Sequence, residues 1–200
     1  ISANSKNHIN AMDMGKGYSE DINPLNLKSE FILSLCEQLM GGENLAAKEK
    51  SIIDRSLTSC YREYIKGGFQ GTPPTLKDFR EELLKQPEEK AKEIALSIEL
   101  FSDGNLNTFA KQTNVDIDSR IICYDIRDLG RHLLPIGMLI VLDSILNRIT
   151  ANKEKGKNTF IFIDEIYLLF KNEYSANFIS SLWKRVRKYG AFCTGITQNV

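Results

Sequence analysis

The sequence predicts a three-layer α/β fold interrupted by an all-helical insertion, and three observations carry that prediction. In the second half, short apolar or β-branched runs alternate with helix-period segments, the order expected of strand, helix, strand. Those runs are apolar almost throughout rather than at every second residue, which marks a parallel sheet buried on both faces. Residues 44–110, by contrast, carry helical periodicity alone. Two hundred residues at 42% hydrophobic composition can bury one large core with such an insertion.

The elements follow in order. "HINAM" (His8–Met12) reads as a short strand. "NPLNLKSEFILSLCEQLMGG" predicts a helix from near Leu27, with Leu27, Phe31, Leu35 and Leu39 on one face and Gly41-Gly42 as its stop. "LAAKEKSIIDRSLTSCYREYIKGG" is one helix ending at Gly67-Gly68. Thr75 reads as the N-cap of "LKDFREELLKQ", with Asp78 three residues on. "EEKAKEIALSIELF" is a further helix after Pro87. Then come the strand "RIICYDI" (Arg120–Ile126), an apolar helix over Leu133–Thr150, the strand "TFIFI", the helix "YSANFISSLWKRVRKYG" and the strand "AFCTGI". The organisation read from this order is a core of residues 1–43 and 111–200, with the insertion at 44–110. The most hydrophobic run, Leu133–Leu146, is broken by Pro135, Gly137 and Asp143 and falls short of the roughly 20 apolar residues that a bilayer crossing needs. It reads as a buried helix.

Charge narrows the function classes. Lys+Arg and Asp+Glu are both 26, so coating nucleic acid through net charge is not indicated, although a local basic patch is compatible. Cys36, Cys60, Cys123 and Cys193 are far apart, which suits reduced thiols better than a disulfide frame or a zinc site. His8 and His132 stand outside any Cys/His cluster and are not read as metal ligands. The first residues lack the apolar segment of a signal peptide. An opening without Met and an end just after an apolar strand predict a piece of a longer chain.

The chemistry concentrates near the end. "TFIFIDE" drives Asp164 and Glu165 to the carboxyl end of a buried strand, where parallel sheets bind their ligands. A hydrophobic strand ending in Asp-Glu is the Walker B pattern: the aspartate holds Mg²⁺, usually through water, and the glutamate orients and polarises the attacking water. The plainer alternative is that both carboxylates only begin the next helix, where negative charge is favoured. The next strand ends in Thr197-Gln198, and a neutral amide there can sense a γ-phosphate or its attacking water, or merely end a strand. Between the two strands Lys184, Arg185, Arg187 and Lys188 form either a solvated basic face, an arginine finger reaching a neighbouring subunit's nucleotide, or a contact for a nucleic-acid backbone.

The phosphate-binding loop G-x-x-x-x-G-K-[ST] appears nowhere. "KGKNT" (Lys155–Thr159) precedes a strand instead of following one, and "MGKGY" (Met14–Tyr18) has Gly17 where Ser or Thr belongs. The expected place for the loop is before Ile1. Asp125 and Asp128 read as caps of the turn after "RIICY" or as cleft residues, Trp183 as packing, and Tyr167, Leu168, Leu169 and Phe170 as apolar packing under the cleft.

The blocks "KSEFILSLCEQLMGG", "PTLKDF", "TNVDIDSRIICYDIRDLG", "LLPIGMLIVLDSILNRI", "FIFIDEIYLLF", "YSANFISSLWKRVRKYG" and "CTGITQNV" together resemble the large conjugation ATPase of type IV secretion systems. The version most resembled is that carried by conjugative elements of Gram-positive bacteria. The resemblance covers nearly the whole chain, as the family's C-terminal RecA-like motor domain. It implies a RecA-like P-loop NTPase core, ATP and Mg²⁺ as cofactors, and assembly as an oligomer, cytoplasmic and peripheral at the inner face of the membrane. It also implies work on pilus assembly and on DNA or protein transfer together with the secretion apparatus. By position, Asp164 and Glu165 match the Walker B pair and Gln198 the sensing glutamine, with Arg187 in the preceding basic block. Two rival readings stand beside it: a non-catalytic scaffold that keeps the fold, and a motor gripping DNA directly through Lys184, Arg185, Arg187 and Lys188.

Overall fold

The computed structural model describes residues 5–15, 24–42, 44–116, 118–171 and 173–198. Among these residues, six α-helices and two parallel strands run in the order α1 (Leu25–Leu39), α2 (Ala47–Lys66), α3 (Leu76–Leu84), α4 (Glu89–Ser102), α5 (Gly130–Glu154), β1 (Thr159–Ile163), α6 (Glu173–Val186) and β2 (Ala191–Gly195). This is the α/β class with parallel strands that the sequence predicts.

Local chemistry accounts for most boundaries. Pro24, with φ already at −64°, stands immediately before α1. The Glu49 carboxylate accepts the Ala46 amide at 2.7 Å and so closes the start of α2. Thr75 and Asp78 form a reciprocal capping box on α3: the Thr75 amide donates to Asp78 at 2.7 Å and the Asp78 amide to Thr75 Oγ1 at 3.4 Å. The buried stripe of α1 is rotated from the expected one. Lys28, Phe31, Ile32, Leu35, Cys36 and Leu39 are buried, whereas Leu27 is half-buried.

Two expected strands are absent. Residues 8–12 are held mainly through side chains instead of a ladder: the His8 amide donates to Asn114 Oδ1, the Asn10 amide to Thr113 Oγ1 and the Met12 amide to Asn10 Oδ1, with single backbone bonds from Ala11 to Phe109 and from Asn114 to His8. Residues 121–126 keep the alternation of a strand, with Ile122, Tyr124 and Ile126 half-buried and Ile121, Cys123 and Asp125 exposed. No described strand hydrogen-bonds to them. The sheet therefore has two strands, in parallel register from Thr159↔Ala191 to Ile163↔Gly195.

Among the described residues, helices cover one face of that sheet. Ile161 and Ala191 are buried beneath α5 and α6, while Phe160, Phe162 and Phe192 on the other face are 65%, 68% and 56% exposed. Phe160 and Phe192 stack with ring centroids 5.1 Å apart. The continuous apolar character of the strands is thus real, but cover on both faces is not observed.

α5 joins two apolar cores. Leu133, Ile136, Leu139 and Ile140 pack into a cluster with α1 to α4, whereas Met138, Leu142, Leu146 and Ile149 pack with Ile161, Ala191 and the Ile179, Leu182 and Val186 of α6. The helix is longer than the apolar run that predicts it. By length and composition His132–Glu154 would suffice to cross a bilayer, but 67% of its most apolar stretch is buried inside the protein. A helix apolar on all sides is what a helix between two cores needs. Deep in this packing the Lys28 ammonium lies 2.7 Å from Asp143 Oδ2 and donates to the Ala11 carbonyl at 2.8 Å.

Candidate functional site

The site begins where β1 ends. Three of its five residues are β-branched and the other two are phenylalanine, so they favour extended backbone, and hydrogen bonding to β2 runs one step beyond the ladder. The Ile196 amide donates to the Ile163 carbonyl at 2.8 Å, and the Ile166 amide donates back to the Ile196 carbonyl at 3.1 Å. These two bonds bracket Asp164 and Glu165. Glu165 takes φ +51°, a left-handed conformation uncommon for a residue with a Cβ, and its carbonyl accepts the Leu168 amide at 2.9 Å. The following 3-10 turn starts at Ile166, so the two carboxylates occupy a tight turn and do not open an α-helix.

The two carboxylates meet different environments. Asp164 is exposed, with one oxygen accepting the Glu165 amide at 3.0 Å. Glu165 is half-buried, and its Oε2 is shielded from solvent with no hydrogen-bond partner among the described residues. A carboxylate oxygen in that state lacks what it would have in water, at a cost of a few kcal/mol. An ordered water or a hydrated cation would supply the missing contact. An exposed hard oxygen on Asp164 beside it fits Mg²⁺ held through water. Thr197 and Gln198 follow directly on the bonded end of β2, both exposed, so the strand-end pair and the amide lie on the same rim of the sheet.

The basic block lies elsewhere. α6 returns from the carboxyl end of β1 to the amino end of β2, where the Gly190 carbonyl accepts the Thr159 amide at 3.2 Å. Lys184, Arg187 and Lys188 are exposed at that end; the Arg185 side chain lies outside the described residues. A strand rises about 3.3 Å per residue, so β1 alone puts roughly 15 Å between Arg187 and the carboxylates of its own chain.

Other sequence candidates are absorbed locally. "KGKNT" is the end of α5: Gly156, at φ +65°, donates to the Lys153 carbonyl at 2.9 Å and Lys157 to the Asn152 carbonyl at 2.8 Å. That is a Schellman cap, and it uses the amides that a phosphate would need. Most of "MGKGY" lies outside the described residues. Asp125 caps the turn after residue 126 by accepting the Arg127 amide at 3.2 Å. The Arg127 guanidinium, 2.6 Å away, holds the Asp125 carboxyl well below the usual range. Leu168 and Leu169 pack onto the second core as expected, but Phe170 is exposed and does not.

One participant was not singled out from the sequence. A Cβ on Gly195 would come within 2.8 Å of Ile166 Cδ1 and 3.2 Å of its Cγ2. The signal was present as a glycine inside a strand, which marks a close approach by another group.

Comparison with known proteins now bears on these features. Residues 73–200 match the family model of the TraG P-loop domain. Among solved structures the chain is similar to VirB4 of Thermoanaerobacter pseudethanolicus, at 19% identity and a TM-score of 0.75. That match covers 96% of this chain and 54% of the other, so the chain spans about half the length of the matched structure. At this identity the likeness establishes the fold. No curated protein matches.

Proposed function

The chain belongs to the TraG P-loop domain family, and from that premise we propose that it is the C-terminal motor part of an ATPase that energises conjugative DNA transfer and type IV secretion. The observation that carries the reading is the turn after β1, which presents Asp164 to solvent and holds Glu165 with one carboxylate oxygen shielded and without a hydrogen-bond partner among the described residues. The VirB4-like, RecA-like fold and the amide of Gln198 on the same rim support it.

In this mechanism Asp164 would hold a hydrated Mg²⁺ accompanying ATP, and Glu165 accepts a hydrogen bond from the attacking water and directs it at the γ-phosphorus. Held there, the metal would supply neutralising charge to the phosphate oxygens. Gln198, a neutral amide, reports whether the γ-phosphate is present without adding charge of its own. Arg187 lies too far from Glu165 to serve its own chain, so it acts in trans, on a nucleotide held by a neighbouring subunit of a homo-oligomer. Residues 1–43 and 111–200 form the motor core and 44–110 the helical insertion. The assembly works at the inner face of the membrane, beside the secretion apparatus.

In the complete protein, Glu165→Gln is expected to lower turnover by at least 10²-fold, the range typical of losing a positioned acid–base group, while ATP still binds. Unchanged turnover sinks the role. The exposed Lys184, Arg187 and Lys188 favour a second reading, a motor gripping DNA directly through residues 184–188. Its mark is turnover that DNA stimulates and that falls steeply as salt rises. A scaffold without catalysis would bind its partners equally with and without nucleotide.

A further inference from the structure

The helix-covered face of β2 carries Ala191 and Cys193 and ends at Gly195, which has no side chain. The space left at Gly195 is filled by Ile166, which folds back from the turn after β1 and joins the second core. The same residue anchors the turn through its backbone, since its amide donates to the Ile196 carbonyl at 3.1 Å. Glu165 immediately precedes it and is the residue that takes the left-handed conformation, at φ +51°. Ile166 is therefore tied to the end of β2 by side chain and backbone alike, two residues before Thr197 and three before Gln198.

We propose that Gly195 and Ile166 are a size-matched pair of positioning residues that sets the place of the Glu165 carboxylate relative to the end of β2. The inference rests on the catalytic reading of Glu165. Bulk added at Gly195 lifts Ile166 off β2 and swings Glu165 away, since a Cβ there would lie 2.8 Å from Ile166 Cδ1. Bulk removed from Ile166 lets the turn slacken. Neither side chain carries a polar group for the nucleotide, so an effect on kcat with affinity kept reports the placement of Glu165.

The test uses the complete protein, with turnover at saturating ATP and affinity for a non-hydrolysable ATP analogue measured side by side. Gly195→Ala and Ile166→Ala are each expected to lower kcat by about 10²-fold, the scale of a 1 Å misplacement, with affinity kept within roughly twofold. The double variant Gly195→Ala/Ile166→Val, which moves one carbon from one side chain to the other, restores the fit and recovers most of kcat. Ile166→Ala adds no bulk and serves as the probe should Gly195→Ala fail to fold. Wild-type kcat in the single variants overturns the proposal; so does affinity that falls in step with kcat, or a double variant no better than the singles. Failure of the underlying reading looks different, because Glu165→Gln would then turn over ATP normally whatever Gly195 and Ile166 do.

Discussion

Lys28 is fully shielded from water, and its ammonium is tolerated there because three kinds of group meet it: the Asp143 carboxylate at 2.7 Å, the Ala11 carbonyl at 2.8 Å and the Phe31 ring with its centroid 4.6 Å away. Two charges removed from water together are close to neutral in net stability, whereas one left alone is severely unfavourable. Lys28→Met is therefore expected to cost about 3–5 kcal/mol in a urea melt, and Lys28→Met with Asp143→Leu to recover most of that. If the double variant is no more stable than the single one, the pair is not the cause. Neither partner was legible as buried. A lysine beside Leu27 reads as the edge of the apolar stripe, and Asp143 reads as a break in an apolar run, because a sequence does not state that two charges 115 positions apart will meet. The placement of Asp164, Glu165 and Gln198 at strand ends was legible, because the local pattern of an apolar run ending in polar residues specifies it. Glu165's left-handed backbone was not legible, since it arises from the bonds to Ile196 across the sheet.

At the level of elements, helices with local caps fell where expected, and elements that need a distant neighbour did not. Thr75 with Asp78 announces α3 within four residues, and Gly67 ends α2 where a glycine was expected to end it. Residues 121–126 carry a strand's alternation, but a strand exists only when another chain segment bonds to its edge, and periodicity does not supply that segment. α5 makes a sharper case. Gly137 looked like a flaw in an apolar helix, yet a Cβ there would stand 2.2 Å from Leu129 Cδ1 and 3.2 Å from the Phe109 ring. Gly137→Ala should gain about 1 kcal/mol in helix propensity but lose about 1–3 kcal/mol to overpacking. A lower melting temperature is the expected outcome, and an unchanged or higher one would mean that Leu129 yields freely. The placement of the basic block follows from element length too: 14 residues of α6 at 1.5 Å each carry the chain back past the whole of β1.

Across the whole molecule the fold divides its apolar surface unequally. Phe160, Phe162 and Phe192 form a continuous exposed patch on one side of the sheet, of the kind that soluble chains normally cover with another surface. The other side is closed by α5, and α5 belongs to both cores at once, its Leu139 and Ile140 facing one and its Leu142 and Leu146 the other. Neither core can come apart while that helix stays hydrogen-bonded, and the helix cannot unwind without releasing both. Amide protons near the middle of α5, from Leu139 to Leu146, should thus exchange with deuterium only as fast as the entire chain opens, whereas those of α3 should exchange through smaller local openings. Faster exchange in the middle of α5 than in α1 would show two independently melting halves. A single helix shared in this way ties Leu139 and Ile140 in one core to Leu142 and Leu146 in the other, so a substitution in either core should register in the exchange of the same α5 amides.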